Sequence, residues 1–321
     1  HAPPERIDRW RRRAQTGCMR ILVSGGAGFI GSHIVEAYLA AGHEVAVVDN
    51  LATGRRANVA RGATLHEVDL HARELERIFA EFRPQVVNHH AAQASVKVGN
   101  ADPVHDLEVN GGGTARLLQL CVENGVRKVI YSSSGGTVYG EPRSLPVAED
   151  HPIAPRSNYG TSKYVGELYV QLAARTAGID YTIFRYGNAF GPRQDPHGEA
   201  GVIAIFTGLM LAGQPCTIDG DGEQKKDYLY VGDIARANVL ALDGGSGLVA
   251  NIGTGVGITV NHIFQVLAQA TENTIAARYG PPRAGDVRNF WLDCALAKRE
   301  LGWEPTVSFE DGVRLTVESL R

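Results

Sequence analysis

The sequence predicts an α/β protein with a doubly wound parallel sheet and a smaller C-terminal domain. Two observations carry this prediction. Short apolar runs alternate with helical segments in the first part of the chain, and glycines cluster where the apolar runs end. After about Phe184, loops rich in Gly, Pro and Asp separate shorter elements. We therefore expect one domain at residues 19–185, a smaller one at 186–321, and segments near 228–253 that return to the large sheet.

The first elements are a strand, a helix and a second strand. An apolar run at 20–24 is followed by glycines, a helical stretch to Ala41, a stop at Gly42 and a second apolar run at 43–48. Further strands are predicted at 64–68, 85–88, 128–132 and 181–184, and helices near 70–82, 105–124 and 159–177. The apolar runs at 228–231 and 249–252 are typical of buried strands, and these could return to the large sheet. Because strands and helices alternate, the strands should be parallel.

Composition and charge limit the possible partners. The formal net charge is -3 and 44% of residues are hydrophobic, so the chain lacks the basic excess that nucleic acid or an anionic membrane requires. No apolar run approaches the roughly 20 residues of a membrane span, and residues 1–18 lack the apolar core of a signal peptide. We interpret residues 1–18 as an N-terminal extension and expect a small-molecule ligand.

The cysteine and histidine patterns favour no metal site. Cys18, Cys121, Cys216 and Cys294 are far apart and form no CxxC motif, which argues against a zinc site or a disulfide framework and fits the cytoplasm. The adjacent pair His89-His90 has no further ligands at suitable spacing, so we expect core or supporting histidines.

A glycine-rich loop follows the first strand and opens the first helix. Its sequence, Gly25-Gly26-Ala27-Gly28-Phe29-Ile30-Gly31, predicts dinucleotide binding because the amides of the helix N-terminus can hold a pyrophosphate. Asp49, at the end of the second strand, would bind the ribose hydroxyls and repel a 2′-phosphate, which favours NAD over NADP. Arg55 and Arg56 follow, but paired arginines in a polar loop are usually solvated surface.

Asp69 and Leu70 follow the third predicted strand and are candidates for contacts to the adenine. Capping of the helix that begins near His71 by Asp69 explains the same pattern nearly as well.

Tyr159 and Lys163 form the candidate catalytic pair. Four residues of helix place both side chains on one face, where the ammonium would lower the pKa of the phenol and make it a usable base for alcohol–carbonyl chemistry. This spacing is common by chance, so its weight depends on the rest of the chain.

From Met19 to the C-terminus, these segments resemble the extended short-chain dehydrogenase/reductase family and, within it, the NDP-sugar epimerases. The resemblance rests on the segments 25–33, 49–51, 88–96, 131–141, 159–163, 185–192, 219–233 and 283–286, and on Asn110. It implies a Rossmann-type sheet with a smaller C-terminal substrate-binding domain, bound NAD, a UDP-sugar substrate and a homodimer.

The resemblance also implies an activity. Tyr159 would remove the proton of the sugar 4-hydroxyl while hydride passes from C4 to the cofactor, and return of hydride to the other face of the keto sugar would invert C4. This would interconvert UDP-glucose and UDP-galactose. The alternatives are a UDP-glucuronate 4-epimerase or decarboxylase, a 4,6-dehydratase, and a noncatalytic NAD-binding module. Dehydratases carry an Asp-Glu pair where this chain has Gly136 and Thr137, so dehydration is disfavoured.

The serine partner is expected in the run Ser132-Ser133-Ser134, where the resemblance favours Ser134. One extra glycine before Thr137 leaves Ser133 open as the alternative.

The resemblance assigns further residues to each ligand. Those expected at the cofactor are Gly25, Gly28, Phe29, Ile30, Gly31, Asp49, Asn50, Asp69, Leu70, His90, Ala91, Ala92, Asn110, Tyr159 and Lys163. Those expected at the substrate are Ser134, Asn188, Val202, Lys226, Arg283, Asp286 and Phe290. Lys226 stands where the family usually has arginine, so it offers charge without the planar fork. Phe290 would restrict the space beside the sugar 2-substituent and favour glucose and galactose over their N-acetyl forms.

Overall fold

The computed structural model of the protein describes residues 17–196, 201–282 and 287–321. Its strands are β1 Arg20–Ser24, β2 Glu44–Asp49, β3 Thr64–Glu67, β4 Val86–His89, β5 Lys128–Ser134, β6 Asp180–Tyr186, β7 Asn188–Phe190, β8 Thr217–Asp219, β9 Lys225–Lys226, β10 Tyr228–Tyr230, β11 Leu248–Ile252, β12 Ile258–Thr259, β13 Arg278–Gly280 and β14 Asn289–Phe290.

The α-helices are α1 Phe29–Ala40, α2 Glu74–Phe82, α3 Val96–Ala101, α4 Pro103–Leu107, α5 Gly113–Glu123, α6 Gly135–Val138, α7 Asn158–Ala177, α8 Val202–Leu211, α9 Val231–Leu240, α10 Val260–Thr271, α11 Ala295–Leu301 and α12 Phe309–Glu318. A 3₁₀ turn covers Arg56–Asn58, and a π-helical turn, Glu108–Gly112, joins α4 to α5. None of the described helices is both long and apolar enough to cross a membrane.

Seven strands form one parallel sheet in the order β11-β6-β5-β4-β1-β2-β3. β1 pairs with β2 on one side and with β4 on the other, so the strand order reverses at β1. In doubly wound sheets, ligands bind at the carboxyl ends of the strands beside such a reversal. The predicted fold class is confirmed, and the predicted glycine loop, Asp49 and Ser134 all lie at this edge.

Helices cover both faces of the sheet because successive strand residues point in opposite directions. Ile21 and Val23 belong to an apolar cluster with α1 and α9, whereas Leu22 belongs to a second cluster with α2 and α5. A strand that is buried on both faces has apolar residues at nearly every position, so the sequence predicted these strands.

The C-terminal part has its own apolar cluster and several small sheets. Phe190, Phe206, Ile263 and Val313 pack together where α8, α10 and α12 meet. The prediction that residues 228–231 return to the large sheet is wrong: β10 pairs with β7 beyond the carboxyl end of β6. Only the second predicted segment, now β11, joins the large sheet, beside β6.

The helix predicted at 105–124 is interrupted. Gly111, Gly112 and Gly113 follow one another there, and glycine weakens a regular helix because it is conformationally free. The π-helical turn that results carries Asn110, and such turns are frequent at functional sites.

Candidate active site

The glycine loop is shaped by close backbone approaches. Gly25 has a φ of 71°, and a Cβ atom there would lie 2.5 Å from the Ala91 nitrogen. A Cβ atom on Gly31 would overlap the Gly25 carbonyl oxygen. No side chain caps α1 at Gly28, so the amides of its first turn, which include Phe29 and Ile30, are available to an anion.

Asp49 lies beside this loop at the end of β2. Its carboxylate accepts hydrogen bonds from the Ala27 nitrogen at 2.9 Å and the Leu51 nitrogen at 2.8 Å. Asn50 donates to Asp69 at 2.8 Å, so these predicted residues come together.

Asp69 does not cap the helix as the alternative predicted: α2 begins at Glu74 without a side-chain cap, and the Asp69 carboxylate accepts from the His71 nitrogen at 2.9 Å in the turn before it. Leu70 is buried in the second apolar cluster, so a ligand contact would come from its backbone.

The two arginines near the adenosine side are engaged with carboxylates. Arg55 forms a 2.7 Å ion pair with Asp195, and Arg56 pairs with Glu67. Both pairs are exposed, so their energetic contribution is small. Their partners nonetheless leave these guanidinium groups less suited to a 2′-phosphate, which agrees with the NAD prediction.

The segment after β4 passes against the glycine loop. The rings of His89, the last residue of β4, and of His90, just after it, take part in polar contacts: His89 bonds to Ser24 at 2.6 Å, and His90 bonds to Asn88 at 2.5 Å. Burial, with the nearby Lys163 charge, lowers the pKa of His90 to about 3. Within the described ranges no cluster of His, Cys, Asp and Glu has metal-binding geometry. Ala91 and Ala92 follow, and Ala91 contacts Gly25 through backbone.

Helix α7 presents the Tyr159–Lys163 pair. Ser157 caps its start by accepting from the Gly160 nitrogen at 3.0 Å, and Gly178, with a φ of 73°, ends it. A Cβ atom on Gly160 would lie 2.7 Å from the Thr137 carbonyl oxygen, so the first turn of α7 packs directly on α6. Tyr159 thereby lies beside Ser134, whose hydroxyl acts against the burial that raises the pKa of the phenol.

The two candidate serines have different partners. The Ser133 hydroxyl donates to Glu167 at 2.5 Å, and Glu167 is held in a bidentate ion pair by Arg185 at 2.9 and 2.6 Å. Ser134 contacts Tyr159 instead. The geometry therefore favours Ser134 as the partner of the phenol.

The pKa of Tyr159 runs against the sequence-based expectation. Burial raises it to about 12, a hydrogen bond from Ser134 opposes the rise, and the charge of Asp106 adds to it. The Lys163 ammonium lies 4.6 Å from the centre of the Tyr131 ring, and its effect on the phenol stays a prediction. Burial lowers the pKa of Lys163 itself to about 8, against the charges of Glu167 and Asp106.

Asn110 anchors the segment after β4 to helix α7. Its side chain accepts from the Gln93 nitrogen at 2.9 Å, and donates to the Gln93 carbonyl at 3.0 Å and to Ser162 at 2.9 Å. Ser162 in turn donates to Asp106 at 2.5 Å. Sequence reasoning missed Gln93, Asp106 and Ser162; the four-residue spacing from Asp106 to Asn110 was the one signal available.

The predicted substrate residues are spread over the C-terminal part. Asn188 is exposed and donates to the Asp227 carbonyl at 3.0 Å. Val202 begins α8, and Lys226 donates to the Val287 carbonyl. The Phe290 side chain is only 3% exposed and its ring packs against Tyr139 at 6.5 Å.

Arg283 and Asp286 lie outside the described residues, so the structure does not bear on these two predictions.

Comparison with known proteins agrees with this arrangement. The model of the NAD dependent epimerase/dehydratase family matches residues 21–253. The UDP-glucose 4-epimerase of Mycolicibacterium smegmatis is 42% identical over 309 residues, covering 94% of this chain and 99% of that protein.

Two solved structures are closer in sequence. The crystal structure of UDP-glucose 4-epimerase from Thermotoga maritima with UDP-glucose has a TM-score of 0.92 and 49% identity, covering 94% of this chain and 99% of the other. The Thermus thermophilus UDP-glucose 4-epimerase in complex with NAD has a TM-score of 0.89 and 47% identity, with the same coverage of both chains. This chain belongs to the NAD dependent epimerase/dehydratase family.

Proposed function

We propose that this protein is an NAD-dependent UDP-sugar 4-epimerase that interconverts UDP-glucose and UDP-galactose. The observation that carries the proposal is that Ser134, at the carboxyl end of β5, lies beside Tyr159 on the same edge of the sheet as the glycine loop. The names of the relatives at 42–49% identity, and the UDP-glucose and NAD in the two crystal structures, agree with it.

The cofactor-binding edge fits NAD. Cβ atoms on Gly25 and Gly31 would fill the space where backbone segments meet, and the uncapped α1 offers amides to a pyrophosphate. Asp49 keeps acceptor capacity beside its two backbone donors, which suits ribose hydroxyls. When bound, NAD supplies a reversible hydride acceptor for the sugar carbon.

Residues of the chain itself carry out the proton transfer. Tyr159 removes the proton from the sugar 4-hydroxyl and later returns it, and Ser134 donates a hydrogen bond that stabilises negative charge on the reacting oxygens. Lys163 holds a positive charge in a buried position on the same helix, which favours the phenolate in the reacting complex. Because burial raises the pKa of Tyr159 to about 12, this assistance is needed for the phenol to act near neutral pH.

We assign the nucleotide and sugar to the C-terminal part. Asn188 contacts the diphosphate or the sugar, Lys226 and Arg283 contact the diphosphate, Val202 packs on the base, and Asp286 binds the nucleotide ribose. Phe290 restricts the volume beside the sugar 2-substituent, which favours glucose and galactose over their N-acetyl forms. These six assignments rest on the family resemblance.

Dehydration requires a carboxylate that α6 does not offer. Helix α6 follows Ser134 directly, and its four residues are Gly135, Gly136, Thr137 and Val138. Epimerisation needs no such group, so it remains the better supported reaction.

The protein acts as a homodimer through α4 and α7. These helices pack together and leave large apolar side chains exposed: Val104 is 66% exposed, Leu107 48%, Leu168 45% and Leu172 44%. Adjacent exposed apolar side chains of this kind mark interaction surfaces.

We place the protein in the cytoplasm, where its four free cysteines would stay reduced.

The proposal is tested by incubating the purified protein separately with UDP-glucose and UDP-galactose and following the anomeric protons by NMR. Each substrate should yield the same equilibrium mixture of the two. UDP-glucuronate, UDP-N-acetylglucosamine and dTDP-glucose serve as competing substrates. Conversion of one of these and not of UDP-glucose would overturn the assignment.

A further inference from the structure

Asp106 is a fully buried carboxylate behind the catalytic helix. One of its oxygens accepts from the Gln93 amide at 2.5 Å and from the Asn110 amide at 3.4 Å, and the other accepts from the Ser162 hydroxyl at 2.5 Å. Within the described part of the chain it forms no salt bridge. A buried charge without a paired cation is costly unless its surroundings compensate it.

The surroundings are shaped to hold this group. Helix α3 passes over it at Gly99, where a Cβ atom would lie 2.6 Å from an Asp106 carboxylate oxygen. Any other residue at position 99 would push the carboxylate aside. The three donors around Asp106 are themselves held: the Gln93 side chain also donates to the Ser95 carbonyl at 2.9 Å.

The same network reaches both ligand-facing elements of the site. Ser162 stands between Tyr159 and Lys163 on α7, and its hydroxyl lies 3.0 Å from the Tyr159 carbonyl oxygen. On the other side, Asn110 holds both backbone groups of Gln93, just after Ala91 and Ala92. Asp106 is therefore the common partner of the catalytic helix and the segment that lies against the glycine loop.

We propose that Asp106 is a positioning residue of this site: its buried negative charge keeps the Lys163 side chain in its ammonium form and fixes α7 against the cofactor-side segment. The inference rests on the proposed function for its catalytic meaning, but the charge relation itself is a property of the chain alone.

The groups around Lys163 explain why Asp106 carries this role. Against the burial that lowers the pKa of Lys163, Glu167, one turn further along α7, is the larger opposing charge and Asp106 the second, but Glu167 also forms a bidentate pair with Arg185. From β4 and the segment after it come His89 and His90, both kept neutral because burial lowers their pKa values.

Two phenols complete the surroundings of Lys163. β5 contributes the Tyr131 ring, over which the ammonium lies. From α7 itself comes the phenol of Tyr159, which stays neutral because its pKa is raised to about 12. Among the described residues, two carboxylates lie near Lys163, and Asp106 is the one that has no cation in direct contact. It opposes the burial that lowers the pKa of Lys163 to about 8.

The direct test is an NMR titration of Lys163 in protein labelled with ¹³C at lysine Cε, with the signal assigned from the Lys163→Met spectrum. In Asp106→Asn the titration midpoint should fall by about half a pH unit or more, because a nearby negative charge is lost. Asp102→Asn is the matched control: it removes the same charge from the exposed first residue before α4 while keeping a good helix cap. Its midpoint should stay unchanged. An unchanged midpoint in Asp106→Asn would overturn the proposal.

A smaller neutral variant, Asp106→Ser, gives the same test if the asparagine variant does not fold. The pH profile of epimerisation adds a second readout. Removal of the charge should move both the acid and alkaline limbs toward lower pH, because Asp106 raises the pKa values of both Tyr159 and Lys163. A rate loss that is uniform across pH would show a merely structural role. If the wild-type protein epimerises no sugar, the proposed function fails, while the NMR midpoint still decides the role of Asp106.

Discussion

Replacing Ser134 by alanine should slow turnover about 100-fold, the scale seen when one donor to a reacting oxygen is removed. The hydroxyl lies beside the Tyr159 phenol, whereas the neighbouring Ser133 hydroxyl donates to Glu167. Because the change removes one hydroxyl beside the phenol and none from the glycine loop, the NAD content should change little.

Ser133→Ala is the matched control in the adjacent position. It removes a hydrogen bond to buried Glu167, which keeps both bonds to Arg185, so the expected effect is on stability. Loss of one bond to a charged group costs about 1–3 kcal/mol of unfolding free energy. Its kcat should remain within about threefold of wild type, since effects on the reacting oxygen are absent.

The two variants are compared by NMR-monitored epimerisation under saturating UDP-glucose and by urea unfolding. The reasoning predicts a kcat defect in Ser134→Ala without a large stability loss, and the reverse in Ser133→Ala. A larger kcat loss in Ser133→Ala than in Ser134→Ala would refute it and would return the catalytic role to Ser133.

Three further outcomes follow from the structure. Phe290→Ser should gain activity on UDP-N-acetylglucosamine at the cost of stability, because a buried ring is removed, while Phe290→Tyr should gain none; no gain in the serine variant contradicts the gate. Asp49→Ala should weaken NAD binding about 10- to 100-fold by calorimetry, the scale of lost bonds to a charged group, and undiminished binding would contradict its role. Leu172→Glu should give monomers in light scattering, whereas Val256→Glu, an exposed apolar position in the C-terminal part, should not; an unchanged dimer in the first variant contradicts the α7 interface.

Much of the fold was predictable because local signals and burial agree in it. Strands of the large sheet are buried on both faces, so their apolar runs stand out, and the glycine loop follows from the sharp turn between β1 and α1. The sheet that residues 228–231 join was not predictable from the sequence. A short buried strand has the same sequence pattern in either sheet, and its partner, β7, is set by where the chain leaves β6.

The site was predictable to the level of residue types. The spacing of Tyr159 and Lys163 and the serine run could be read directly, but the choice between Ser133 and Ser134 depends on Glu167, which approaches through the packing of α7 on β5. The direction of the Tyr159 pKa shift was missed because spacing reveals a neighbouring charge and says nothing of burial. The role of Asp106 was also not predictable, because its hydrogen-bond partners come from three separate segments of the chain.

The most direct test of the central claim is the rate of UDP-glucose epimerisation by Tyr159→Phe, measured by NMR alongside the NAD content of the same preparation. We expect the variant to retain NAD and to lose at least about 100-fold in turnover, the scale of lost general acid/base catalysis. Near-normal epimerisation by Tyr159→Phe would contradict the account.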